Sequence, residues 1–188
     1  MTQPLGDAPG VAARWLQATG DRWRHVQAVG QRAEALARDT CVVPATVTRA
    51  AWLHDIGYAP VLAETGFHPL DGARYLAGQG ESDAVVALVA HHSGARYEAD
   101  ERGLAHELAA LPDPNLDDLD MLTFLDLTTS PQGQVVTVEE RLSEILSRYG
   151  EDDPVHRAVT RSRDELVASV ERAKAALRSA DVGTRLYL

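Results

Sequence analysis

Apolar and polar positions along the chain alternate at helical spacing almost throughout. From about Val11 to Arg38 the pattern predicts one helix, with His25, Val29, Arg32 and Leu36 on a shared face. A second predicted helix runs from about Ala45 to Ile56, with Gly57 as its stop and Pro60 barring continuation. Pro69 suits the first turn of a third helix, which ends near Gly78 or Gly80. Ser82 or Asp83 caps a fourth, rich in Ala and Val, that reaches about His92 and stops at Gly94. Residues 95–115 are acidic and broken by proline, with room for a short helix around Ala105 to Leu111. Asp117 opens a fifth helix carrying Leu119, Leu122 and Asp126 on one face, and Ser130, Pro131 and Gly133 form a turn. Thr137 and Glu140 have capping-box spacing before a helix to Tyr149, and Pro154 opens a long charged helix to about Arg178. Valine-rich 134–138 is strand-like, but nothing builds a sheet, so the fold class is all-α, a single helical bundle with a C-terminal helical extension.

The polar residues on the apolar stripes change the picture from a generic bundle to a candidate site. Val47, Ala50 and Ala51 precede His54 by seven, four and three positions and place it on the buried face, beside Asp55. An acid next to a histidine at that depth is costly unless something compensates it, and a metal ion does so with both groups in the charge states they favour at neutral pH. Ala84, Ala87 and Leu88 put His91 on a packed stripe, and Leu119, Leu122 and Thr123 do the same for Asp126. Of the seven histidines, five fall between residues 25 and 92, on successive predicted helices. Antiparallel helices can gather such side chains in their interior.

Composition narrows the class. The 188 residues suit one domain, 45% of them are hydrophobic, and the formal net charge is −10. That balance argues against a partner that is a nucleic-acid polymer, which demands a basic surface, while a metal and a few arginines could still reverse the field locally for a small anion. Cys41, the only cysteine, rules out an internal disulfide or a paired-cysteine zinc site and fits a cytoplasmic location. No segment of the chain reads as a signal peptide or a membrane span.

The order His25, His54–Asp55, His68, His91, Asp126 resembles the HD-domain superfamily of metal-dependent hydrolases. ARWLQATGDRWRHVQAVGQRAEALA is similar to the family's first helix and RAAWLHDIGY to its signature helix. FHPLDGARYL and VALVAHHSGA resemble the two histidine segments of dinuclear members, and FLDLTTSP the segment with the final aspartate. The resemblance spans roughly residues 14 to 131; no motif covers the chain past about 135. It divides the chain into a frayed start over 1–10, a metal-binding helical domain over 11–133, and C-terminal helices over 134–188 that pack on or extend it.

The resemblance implies that His25, His54, Asp55 and Asp126 hold one metal, and that Asp55 bridges to a second held by His68 and His91. One or two divalent ions among Fe, Mn, Zn, Co and Ni suit this donor set. Counting back from Gly94 as the family segment suggests favours His91 over His92, leaving His92 as a core histidine, a partner of a ligand, or a group acting on substrate. His68 could instead cap the helix before Pro69. Arg96 could clamp a phosphate and Thr129 could line the pocket, so Asp55, His92 and Arg96 stand as the catalytic set. The implied function is phosphohydrolysis by a metal-activated hydroxide on a nucleotide or other small phosphate ester, the substrate being the expected partner, with a homodimer left open. The dinuclear arrangement is similar to that of bacterial hydrolases that split diadenosine tetraphosphate. Those commonly carry a lysine soon after the His-Asp pair, where this chain reads HDIGYAP, so their particular substrate is not implied. The alternative is an HD-type di-iron oxygenase acting on a small polar substrate.

Overall fold

The computed structural model describes residues 5–180. Of the frayed start expected over 1–10, residues 1–4 lie outside the described residues, as do 181–188 of the C-terminal segment. Helix α1 (Ala8–Leu16) buries Ala8, Ala12 and Leu16, one residue per turn. Gly20 then takes φ +65°, a left-handed conformation that only glycine adopts at low cost, and the chain restarts as α2 (Asp21–Asp39). The single helix expected from Val11 to Arg38 is thus two, because apolar spacing persists across a backbone break that it cannot register.

Helix α3 (Ala45–Leu53) is followed by a 3₁₀ turn (Ile56–Tyr58), then α4 (His68–Gly78) and α5 (Asp83–His91). A second 3₁₀ turn (His92–Gly94) leads into α6 (Ala95–Arg102) and α7 (Ala105–Leu108). Then come α8 (Leu116–Leu127), α9 (Val138–Arg148) and α10 (Pro154–Ser179). Asn115 caps α8 by accepting from the Asp118 amide at 3.1 Å. The Thr137–Glu140 capping box forms in full. Among the described residues there is no strand, only an isolated antiparallel bridge between Thr129 and Val135, and no helix is long and apolar enough to cross a membrane.

Helix α5 is buried from Val85 to Ala90 and α8 from Asp120 to Leu127. They form the interior with α3, which packs against both; α2 and α4 flank this core. Helix α10 covers α8 and α6, and α9 lies between α8 and α10. Two glycines set the spacing near the site. A Cβ on Gly30 would stand 2.3 Å from the Trp52 ring, so α2 and α3 approach only over a glycine. A Cβ on Gly57 would stand 2.1 Å from the His68 carbonyl oxygen and 2.7 Å from the Gly72 amide. Gly57 therefore does more than end a helix: it lets the chain after Asp55 press against the start of α4.

Helix α6 occupies a stretch read as irregular. Ala95 and Ala99 are its buried residues. Two methyl groups, at roughly 0.8 kcal/mol each, cannot hold an eight-residue helix. It rests on the Arg102–Glu98 pair within the helix and on Glu101, which accepts from Arg157 and Arg161 of α10.

Candidate metal centre

Six side chains from five places in the fold meet at one end of the bundle. His25 comes from the second turn of α2, His54 and Asp55 from the end of α3, and His68 from the start of α4. His92 comes from the turn after α5, and Asp126 from the last turn of α8. They form two groups, each with ligand atoms within 4.8 Å of one another: His25, His54 and Asp126, and then Asp55, His68 and His92.

Asp55 joins the two groups. Its Oδ1 lies 3.3 Å from His68 Nε2 and 3.9 Å from His92 Nε2, while Oδ2 lies 3.4 Å from His54 Nε2. Oδ2 also accepts from Arg22 Nη1. In the first group His25 Nε2 is 2.9 Å from Asp126 Oδ1. Ser93 Oγ donates to Asp126 Oδ2.

The donor chemistry suits metal ions. His25, His54 and His92 each turn Nδ1 to a backbone carbonyl, of Ser130, Ala51 and Val89, at 3.2, 2.9 and 2.7 Å. A carbonyl can only accept, so Nδ1 carries the proton and Nε2 presents its lone pair to the centre. His54 Nε2 is buried with no hydrogen-bond partner. A buried lone pair without a donor, beside carboxylates, is what a divalent cation satisfies.

The charge states agree with this. Burial alone would raise the Asp55 carboxyl, but the charge of the Arg22 guanidinium beside it outweighs burial and holds it well below the usual range. The Asp126 carboxyl is likewise held low against burial, with the His25 and His54 rings beside it and Ser93 Oγ donating to its Oδ2. Burial lowers His92 to about 3, so it stays a neutral donor. Tyr58 stacks on His68 at 4.0 Å between centroids, and the Arg22 guanidinium lies 3.9 Å from the centre of the same ring.

Three expectations need correction. His91 is not in the cluster; His92 takes the place expected for it. Ser93 adopts φ +48° and Gly94 φ +77°, so the helix unwinds after His91 and the next side chain swings inward. His91 faces a different cavity, of about 700 Å³, alongside Arg96, Asp113 and Glu165. Arg96 sits in the first turn of α6, 63% exposed, and pairs with Glu165 and the Tyr97 hydroxyl rather than reaching the centre. Thr129 is fully buried, donates to the Leu125 carbonyl at 2.7 Å and accepts from Arg32 at 2.5 Å, so its hydroxyl is used up in anchoring the end of α8.

Other neighbours of the centre carried little or no signal in the sequence. Arg22 precedes His25 by one turn of α2, and that spacing could have revealed it. Ser93 reaches Asp126 only because the helix unwinds. Arg141 and Arg148 come from α9, beyond any motif. Together with Leu142, Tyr149 and residues of α10, they close a cavity of about 100 Å³ over Asp55, His68, His92 and Asp126.

A stretch of 77 residues, 41% of the chain, is 39% identical to a tRNA (cytidine(56)-2'-O)-methyltransferase of Thermoplasma volcanium, and it spans 22% of that protein's length. No solved structure matches the chain. The family model described as HD domain matches residues 22–125, more than half of the chain, and takes in every cluster residue except Asp126 just beyond its end. The chain therefore belongs to the HD-domain family.

Proposed function

We propose that the protein is a metal-dependent phosphohydrolase acting on a nucleotide or another small phosphate ester. The observation that carries this reading is the placement of Asp55, with one carboxylate oxygen toward each group of histidines. On this reading His25, His54, Asp55 and Asp126 hold one divalent ion, and Asp55, His68 and His92 hold the other. Imidazole mixed with carboxylate suits Fe, Mn, Zn, Co or Ni. Such ions supply Lewis acidity toward phosphoryl oxygens and make water nucleophilic near neutral pH.

The protein's own groups position and protect. The three carbonyl contacts fix the imidazole rings, so their Nε2 atoms need no reorganisation to bind. Ser93 holds the second oxygen of Asp126. Arg22 neutralises Asp55 from one side, and the arrangement of Tyr58 against both Arg22 and His68 keeps each in place. Helices α9 and α10 shield the centre from bulk water, which strengthens every charge interaction inside it. The methyl transfer named for the Thermoplasma protein belongs to a molecule of which this chain matches about a fifth, and the reading here rests on the site instead.

The test is a panel of nucleotides and phosphodiesters assayed with Mn, Fe or Co, with oxygen uptake followed on the iron-loaded protein. Hydrolysis of at least one phosphate ester, dependent on added metal, is expected. Absence of hydrolysis across the panel overturns the reading, and substrate-dependent oxygen uptake would put the di-iron oxygenase in its place.

A further inference from the structure

We infer that Arg141, flanked by Arg22 and Arg148, is the group that binds the phosphate of the substrate, supplied by a helix beyond the HD-domain match. The inference deepens the phosphohydrolase reading and rests on it for the identity of the anion.

Arg141 lies on α9, past residue 125 where the family match ends. Its side chain is 5% exposed, and its Nε is buried without a hydrogen-bond partner. A buried guanidinium donor left unpaired is costly, so such a group in a site points to a missing acceptor. Its Nη1 donates to Glu144, but Glu144 also accepts from Arg148 Nε at 2.7 Å. Two guanidiniums thus share one carboxylate and leave a positive excess.

That excess is aimed at the centre. Arg141 borders the cavity of about 100 Å³ that holds Asp55, His68, His92 and Asp126. It also borders a second cavity, of about 280 Å³, that reaches His25. Arg22 and Arg148 border both cavities as well, so the three guanidiniums are the lining that the two share. In a chain whose net charge is −10, three guanidiniums so placed are a local concentration of positive charge next to the Asp55 and Asp126 carboxylates. The planar fork of a guanidinium matches two oxygens of a phosphate, which an ammonium does not. Among these arginines Arg22 is already engaged by Asp55, which leaves Arg141 with the open donor.

The experiment is calorimetric titration of inorganic phosphate into the manganese-loaded full-length protein, with metal content and Tm measured on the same samples. Arg141→Met is expected to weaken phosphate binding by at least about tenfold, with metal content unchanged. Its Tm should stay close to wild type, because Glu144 is partly exposed and keeps Arg148 as its partner while an apolar side chain of similar length fills the space. Arg141→Lys should recover only part of the affinity. Arg148→Met, at a more exposed position, should cost less than Arg141→Met, and Arg161→Met, a remote charge-matched control, should cost nothing. Should Arg141→Met fail to fold, Arg141→Lys and Arg148→Met carry the test. Wild-type affinity in the Arg141 and Arg148 variants overturns the inference, as does a loss no larger than that of Arg161→Met. Turnover with unchanged phosphate affinity in Arg141→Met would sink this subsite and leave the hydrolase reading standing. Arg141-dependent phosphate binding without turnover of any ester would do the reverse.

Discussion

Two helices in this protein end on a pair of consecutive polar residues, and the two ends behave differently. At the end of α3, His54 and Asp55 both serve the centre. At the end of α5, His92 enters it while His91 faces a separate and larger cavity. Successive side chains on a helix diverge by about 100°, so neighbours share a site only when the backbone or the site accommodates the turn. At α3 the site accommodates it, because Asp55 lies between the two groups and His54 belongs to one of them. At α5 the two side chains part, and His91 lines the cavity bordered by Asp113 and Glu165. Adjacency in sequence is therefore weak grounds for a shared role, and the geometry of each helix end decides it.

The sharpest break of this comparison is Asp55→Ala. Loss of a group that merely orients a ligand typically costs 10- to 100-fold in metal affinity or activity, so loss of the bridging carboxylate should exceed about 100-fold in activity. Arg22 would also be left largely buried without its partner, at a cost of about 3–5 kcal/mol to the metal-free fold, measurable by denaturant unfolding. Retained metal content in this variant would remove the basis for treating the α3 end as the centre's hub.

Next in size is the pair His91→Ala and His92→Ala. The His92 variant should lose bound metal and at least about tenfold in activity, while the His91 variant keeps its metal content, as elemental analysis would show. The opposite result would mean that the unwound turn at Ser93 is misassigned. Gly57→Ala probes the packing behind the α3 end. Its Cβ would meet backbone atoms of His68 and Gly72, so the start of α4 must shift. A stability loss of about 1–3 kcal/mol is expected, with weaker metal uptake through His68; an unchanged Tm would show that His68 is not held by this contact.

Smaller effects are expected away from the centre. Arg96→Ala removes an exposed ion pair worth about 0.2–1 kcal/mol and should leave activity near wild type. A large activity loss would restore Arg96 to the site. The Arg49–Glu81 pair, which ties α3 to the loop before α5, gives the smallest signal. Burial would raise the Glu81 carboxyl, but the Arg49 hydrogen bond outweighs it and lowers it. Its contribution is therefore present above the ordinary glutamate range and is lost as pH falls through the folded value. Glu81→Gln should cost under about 1 kcal/mol near neutrality, with the difference from wild type shrinking below about pH 4.3. A constant difference at all pH values would mean that the pair is not titrating.

Much of this was legible in the sequence, for identifiable reasons. His25, His54, Asp55, His68 and Asp126 stand near helix ends or on apolar stripes, where regular spacing makes a polar residue conspicuous, and they do converge. The Thr137–Glu140 box and Pro154 mark their helix starts through strictly local chemistry. What escaped depended on the backbone leaving its regular path or on distant partners. The break at Gly20 and the left-handed Ser93 both defeat counting by turns. Helix α6 has too narrow an apolar stripe to register and is held by α10. Thr129 looked available for substrate because its partner, Arg32, lies 97 residues earlier in the chain. Arg141 has no local signature, since its position over the centre is set by how α9 packs.

The most direct test of the central claim is the number of divalent ions the intact wild-type protein takes up, measured by titration with manganese or iron(II) and elemental analysis after removal of excess metal. Two groups joined by the Asp55 carboxylate predict uptake approaching two ions per chain. A protein that binds no ion at any ratio, with the helical fold intact, would contradict the account.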